Sequence, residues 1–200
     1  MSVTRTFLFT DIEGSTRAEQ REPVAWASNH KTHDQIVEEI VRANNGEVYK
    51  HTGDGYQAAF VNAPEALRAA LDIQRKISST VWQGDTPIRV RIGLHTCQAE
   101  QRGSDYLGDD LHRAARLMDA GHGGQVLISL VTSELVRDAL RRDPALAGAD
   151  LRDLGVFGLR DVQRSERIFQ LEAQGLETGF PPLRAEKAFF TNPHRGGHAH

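Results

Sequence analysis

The sequence predicts an α+β fold: a ferredoxin-like β-α-β-β-α-β core, extended by a further helix and strands. Three observations predict it. Short β-rich runs alternate with longer segments of helical period, a Gly-Asp-Gly turn joins two runs as a hairpin, and one later run alternates as a strand with a single buried face. Phe7 to Phe9, within "FLFTDIEGST", read as the first strand, which ends on Asp11 and a small-residue turn. From about 24 to 44, Ile36, Val37, Ile40 and Val41 fall at helical spacing until "NNG" stops the helix. In "GEVYKHTGDGYQAAF", strands at about 47 to 52 and 56 to 60 flank a turn whose two glycines permit backbone angles that other residues resist. Residues 63 to 79 form an amphipathic helix with Ala66, Ala70, Ile73 and Ile77 on one face. "IRVRIGLHT" turns Ile88, Val90, Ile92 and Leu94 inward and leaves Arg89, Arg91 and His95 outward. A helix at about 109 to 120, a strand at "QVLIS" and a closing pair near 151 to 157 and 166 to 172 complete residues 1–173. Residues 174–200 carry Gly and Pro without periodicity and read as a flexible tail or a truncated linker.

The 200 residues suit one domain with a substantial core, and 39% apolar with 26% charged residues is globular composition. A net charge of −3 offers no general attraction to phosphate backbones, so no nucleic-acid partner is expected. No apolar run is long enough for a membrane span or a signal peptide, and a cytoplasmic location is expected. The single cysteine, Cys97, rules out an internal disulfide.

In the ferredoxin-like arrangement the first strand and the hairpin are sheet neighbours, so Asp11 and Asp54 converge. Two facing carboxylates repel unless a cation lies between them or one is protonated, and hard divalent ions take carboxylate together with phosphate oxygens. Alone, Asp11 reads equally as a helix cap or Asx turn, and Asp54 as an ordinary hairpin turn; their joint placement favours a metal pair. Gly14, Ser15 and Thr16 follow directly, and the free amides of such a turn at a helix start suit a polyphosphate. His30 and His33 are i and i+3 on a helix, and without a third ligand they read as a solvated or partly packed face rather than a zinc site. His194, His198 and His200 lie in the tail and define no site.

"FLFTDIEGST", "VYKHTGDGYQAAF", "RVRIGLHT" and "YLGDDLHRAARL", in this order and spacing, resemble the catalytic domain of class III nucleotidyl cyclases. The likeness covers about residues 4 to 173 and is nearest to bacterial adenylyl cyclase domains found ahead of ATPase and helix-turn-helix regulator modules. It implies conversion of ATP to 3′,5′-cyclic AMP and pyrophosphate. Asp11 and Asp54, with the Ile12 backbone carbonyl, match the family's ligands for two divalent cations, Mg²⁺ or Mn²⁺. In the two-metal scheme that the resemblance implies, one ion would activate the ribose 3′-hydroxyl while the other holds the triphosphate, and no protein nucleophile is needed. Lys50 and Asp105 match the pair that reads adenine: lysine donates to N1 and aspartate accepts from the 6-amino group, demands that guanine reverses. Arg116 matches the arginine that stabilises the pentavalent transition state, and His112 stands one helical turn before it. Arg160 falls near a basic residue that contacts the triphosphate. The family builds its site between two catalytic domains, so a twofold homodimer is implied, with Asp11 and Asp54 of one subunit facing Lys50, Asp105, His112 and Arg116 of the other.

This chain departs from the family at His112, where active members generally carry asparagine, and at Cys97 and Gln57, which stand in place of a glycine and an apolar residue. Imidazole keeps a hydrogen-bond donor at that position. Two alternatives follow: a catalytically weak or silent module that binds nucleotide and regulates an unidentified partner, and a cyclase acting on GTP or a pyrimidine nucleotide.

Overall fold

A computed structural model describes residues 1–188. Its β-α-β-β-α-β core runs β1 (Ser2–Ile12), α1 (Ser15–Arg21), α2 (Pro23–Ala43), β2 (Glu47–Thr52), β3 (Gly55–Phe60), α3 (Ala63–Ser79) and β4 (Val90–Arg102). There follow β5 (Asp105–Leu107), α4 (Leu111–Ala120), β6 (Val126–Ser129), α5 (Leu130–Arg142), β7 (Asp150–Gly158), β8 (Glu166–Glu172) and β9 (Glu186–Lys187). The strands form one sheet in the order β2-β3-β1-β4-β6-β8-β7-β9, with β5 folded back on β4. β1 lies between β3 and β4, antiparallel to both, while β4 and β6 run parallel.

Alternation along β1 divides the core. Leu8 and Ile12 face α2 and α3, whose Val37, Val41, Leu67, Ala70 and Ile73 close one side of the sheet. Phe7 and Phe9 point to the opposite side, where Leu111 and Ala114 of α4 cover them together with Cys97 and Tyr106. The two core helices therefore share one face, as the ferredoxin-like pattern requires, and the added helix α4 takes the other. This corrects the reading of residues 88–96 as a strand with one buried face. His95 is 4% exposed, packed beneath α4, and Arg91 is half-buried on the same side.

Gly93 permits that packing. A Cβ there would stand 2.5 Å from the Ala114 carbonyl oxygen and 2.7 Å from the Met118 amide nitrogen, both backbone atoms of α4. The helix can approach β4 closely only over a glycine.

Helix α5 adds to the elements that the sequence predicts. It is opened by Ser129, whose Oγ accepts from the Thr132 amide, but Leu130, Val131 and Leu135 stand 41–53% exposed and blur its apolar period. Part of the segment read as a tail also packs on the domain: β9 pairs with β7, Arg184 binds Glu13, Arg89 binds Glu177 at 2.6 Å, and Leu176 joins the core edge. The remainder, including His194, His198 and His200, lies outside the described residues. Among the described residues no helix is long and apolar enough to cross a membrane.

Gly93→Ala is expected to push α4 off the sheet at a cost of about 1–3 kcal/mol. Thermal unfolding should show a melting temperature lowered by several degrees.

Candidate functional site

The eleven-residue register between β1 and β4 sets Asp11 opposite Arg91 at one end of the sheet. Arg91 donates to Asp11 Oδ2 from Nε at 2.8 Å and from an Nη at 2.6 Å. Burial raises the Asp11 carboxyl above its ordinary value, and the Asp54 and Asp119 charges push the same way, against the hydrogen bonds and positive charge of Arg91. Asp54 is close enough to be felt because the hairpin turn folds over the end of β1. Tyr56 pairs with Thr10, and the Tyr56 amide donates to Thr10 Oγ1 at 3.1 Å. A Cβ on Gly55 would meet the Thr10 carbonyl oxygen at 2.7 Å, so this close crossing needs the second glycine of "GDG". Asp54 is half-buried and has no hydrogen-bond or ion-pair partner among the described residues. Two carboxylates, one of them partnerless, offer the hard oxygen donors that Mg²⁺ or Mn²⁺ takes, with the Ile12 carbonyl on the same strand end.

Beyond Asp11, Gly14 adopts a left-handed conformation (φ 74°) and turns the chain into α1, and its carbonyl accepts from the Ala18 amide at 3.0 Å. The first amides of α1, at Ser15 and Thr16, have no intrahelical partner, and the helix start is partly exposed. Glu13 braces the turn by accepting from the Gly123 amide at 3.1 Å and from Arg184.

From Arg91 the charges continue in a line. Arg91 also reaches Asp119 at 3.8 Å, Asp119 binds Arg116 at 3.3 Å, and Arg116 donates to Asp161 at 2.8 Å. Asp161 itself holds φ 58°, in the left-handed region. Asp11 and Arg116 are thereby linked within one chain through two intervening side chains. Arg91, Asp119 and Asp161 carry no local sequence signal, since their pairings Arg91–Asp11, Arg91–Asp119 and Arg116–Asp161 span 80, 28 and 45 residues. His112 and Arg116 line a shared open groove of about 750 Å³ with Asp109, Arg113 and Arg164. Arg160 is 85% exposed along its side chain and lines a neighbouring groove of about 240 Å³ with Arg91 and Arg116.

Lys50 and Asp105 adjoin one aromatic cluster. Tyr49 and Tyr106, their sequence neighbours, meet with ring centroids 5.0 Å apart, and Phe7 packs 5.3 Å from Tyr106. Asp105 accepts from the Tyr106 amide at 2.8 Å, and neither Lys50 nor Asp105 forms an ion pair among the described residues. Cys97 lies under the same cluster, and burial pushes its thiol up to about 12, so it is a packing residue at neutral pH. Below α4, His95 hydrogen-bonds Ser129 at 2.8 Å. Burial pushes it down to about 4, with the Arg113 charge acting in the same direction.

Residues 3–150 match the family described as the adenylate and guanylate cyclase catalytic domain. The chain is 38% identical over 187 residues to an uncharacterized protein of Mycobacterium tuberculosis, covering 92% of this chain and 61% of that protein. It thus spans about three fifths of that relative's length. Its fold is similar to that of an adenylate cyclase of Trypanosoma brucei solved in its monomeric state, with TM-score 0.81, 22% identity, and coverage of 94% of this chain and 95% of that one. It is also similar to an adenylate/guanylate cyclase/hydrolase from Silicibacter pomeroyi, with TM-score 0.72, 26% identity, and coverage of 85% and 96%.

Because His95 is neutral when folded, its ordinary protonation near 6.5 is available only to the unfolded chain. Its contribution to stability is complete above that value and falls as the pH drops toward 4, with a loss of about 2 kcal/mol by pH 5. Urea midpoints at pH 7.5 and 5 should therefore converge in His95→Gln relative to the unaltered chain.

Proposed function

Because the chain belongs to the adenylate and guanylate cyclase catalytic domain family, we propose that it is an adenylyl cyclase, forming cyclic AMP and pyrophosphate from ATP. The observation that carries this reading is the pair of carboxylates Asp11 and Asp54, brought to one sheet end where burial and mutual repulsion raise the Asp11 carboxyl. Asp11, Asp54 and the Ile12 carbonyl would hold divalent cations, which when bound would supply Lewis acidity toward the ribose 3′-hydroxyl and the triphosphate.

The remaining work falls to the chain's own groups. The Ser15 and Thr16 amides at the start of α1 donate to phosphate oxygens, and Arg160 adds positive charge beside the groove. Lys50 and Asp105 orient adenine through one donor and one acceptor. Arg116 neutralises charge that develops on the transferring phosphoryl group, and His112, on the same groove, donates toward the ribose. Nucleophile and electrophile share one substrate molecule, so holding the folded conformer supplies much of the rate. The sites are shared across a twofold homodimer, each Asp11–Asp54 pair facing the α4 face and base-reading residues of the partner subunit. Arg116 leaves Asp161 when phosphate takes that carboxylate's place.

A second reading, a nucleotide-binding module without turnover, draws on His112 and on the pairing of Arg116 with Asp161 inside its own chain. Incubation with each of the four ribonucleoside triphosphates and Mg²⁺ or Mn²⁺, with products identified by mass spectrometry, separates the two. Cyclic AMP from the unaltered chain and none from Asp54→Ala is the expected result; ATP binding with no cyclic product from a dimeric protein establishes the silent module.

The base-reading assignment has its own consequence. Lys50→Ala removes a charged hydrogen-bond donor, so the preference for ATP over GTP in kcat/KM should fall about ten- to a hundredfold.

A further inference from the structure

Behind the hairpin that carries Asp54, a second group of ligand atoms gathers. His30 and Asp34, one turn apart on α2, and His51, near the end of β2, bring their nitrogens and a carboxylate oxygen within 4.8 Å of one another. The sequence offered only His30 and His33 on one helix. The fold replaces His33 with Asp34 as a ligand and adds the third group from a strand.

The supporting groups are already set. His33 is fully buried and its Nδ1 lies 3.0 Å from Asp34 Oδ1, while the other Asp34 oxygen is directed toward His30 Nδ1 at 3.7 Å. A carboxylate fixed on one oxygen by a buried imidazole and presenting its other oxygen is the outer-shell arrangement that orients metal ligands. His33 Nε2 is buried with no hydrogen-bond partner among the described residues, a cost that the Asp34 contact and packing against Tyr56 offset. The outer imidazoles are steered by aromatic neighbours: Trp26 stacks on His30 with centroids 5.2 Å apart, and Tyr56 stacks on His51 at 4.3 Å.

We propose that His30, Asp34 and His51 form a site for a borderline divalent transition metal of the Zn²⁺ class, distinct from the Asp11–Asp54 pair. Two imidazoles and one carboxylate suit such an ion, whereas Mg²⁺ prefers all-oxygen ligands. Tetrahedral ligands at zinc bond lengths sit about 3.3 Å apart, so the site must contract, and exposed His51 can supply the movement. The bound ion ties α2 to β2 three residues before Asp54 and so fixes the turn on which that carboxylate stands. It is a positioning site rather than a catalytic one.

The test uses the full chain with His194, His198 and His200 changed to glutamine, which removes the tail imidazoles. The metal-stripped protein is dialysed against Zn²⁺ or Co²⁺ with Mg²⁺ in excess, and metal content, the Co²⁺ visible spectrum and melting temperature are recorded. One equivalent per chain, a rise in melting temperature, and affinity at least tenfold weaker in His51→Gln and in His30→Gln support the site. Because His51 is exposed, His51→Gln keeps the test decisive if the helix variant fails to fold. Absence of stoichiometric binding, or unchanged affinity in His51→Gln, overturns the proposal. Neither result depends on cyclase turnover, so failure here and failure of the cyclase reading are distinguishable.

Discussion

The pairing of β1 with β4 is the constraint on which the rest depends. Eleven consecutive residue pairs fix it, from Ser2 opposite Glu100 to Ile12 opposite Val90. Because strand side chains alternate with period two, a slip of one residue would turn one of the two charges, Asp11 or Arg91, to the α2–α3 side and separate the pair. The correct register instead buries Leu8 and Leu94 completely and leaves the two charges together on the α4 side. The hydrophobic pattern that secures the core therefore also places the carboxylate.

That placement creates an electrostatic problem with a particular solution. A carboxylate withdrawn from water beside Asp54 is disfavoured as an anion, and Arg91 offsets part of the cost. Since Arg91 also meets Asp119, which meets Arg116, the charge state at the strand end is coupled to the helix that holds the proposed transition-state arginine. The same logic explains why Gly55 and Gly93 matter: each lets a charged element approach β1 or β4 more closely than a side chain would allow.

Much of this was legible in the sequence where the signal was local. The apolar run ending on Asp11, the "GDG" turn and the helical spacing of His112 and Arg116 each lie within a few residues, and the order of elements gave their convergence. What escaped depends on contacts between distant segments. Arg91 and His95 read as outward residues because alternation shows which face differs, not that a later helix covers it. α5 was hidden because three of its apolar residues face outward. His51 carries no metal signal until the hairpin folds against α2 and sets it beside Asp34. Arg184 and Glu177 sit in an aperiodic segment whose contacts with Glu13 and Arg89 no periodicity announces.

In the proposed enzyme, carboxylates from one subunit and the α4 arginine from another complete each site. The most direct measurement of this sharing mixes Asp54→Ala and Arg116→Ala proteins, each inactive alone, under conditions in which subunit exchange is shown independently by mass. In a statistical mixture about half of the dimers are mixed, and each of these has one site with both groups intact. Recovery of about a quarter of the unaltered protein's specific activity is the expected result. No recovery after demonstrated exchange would contradict it.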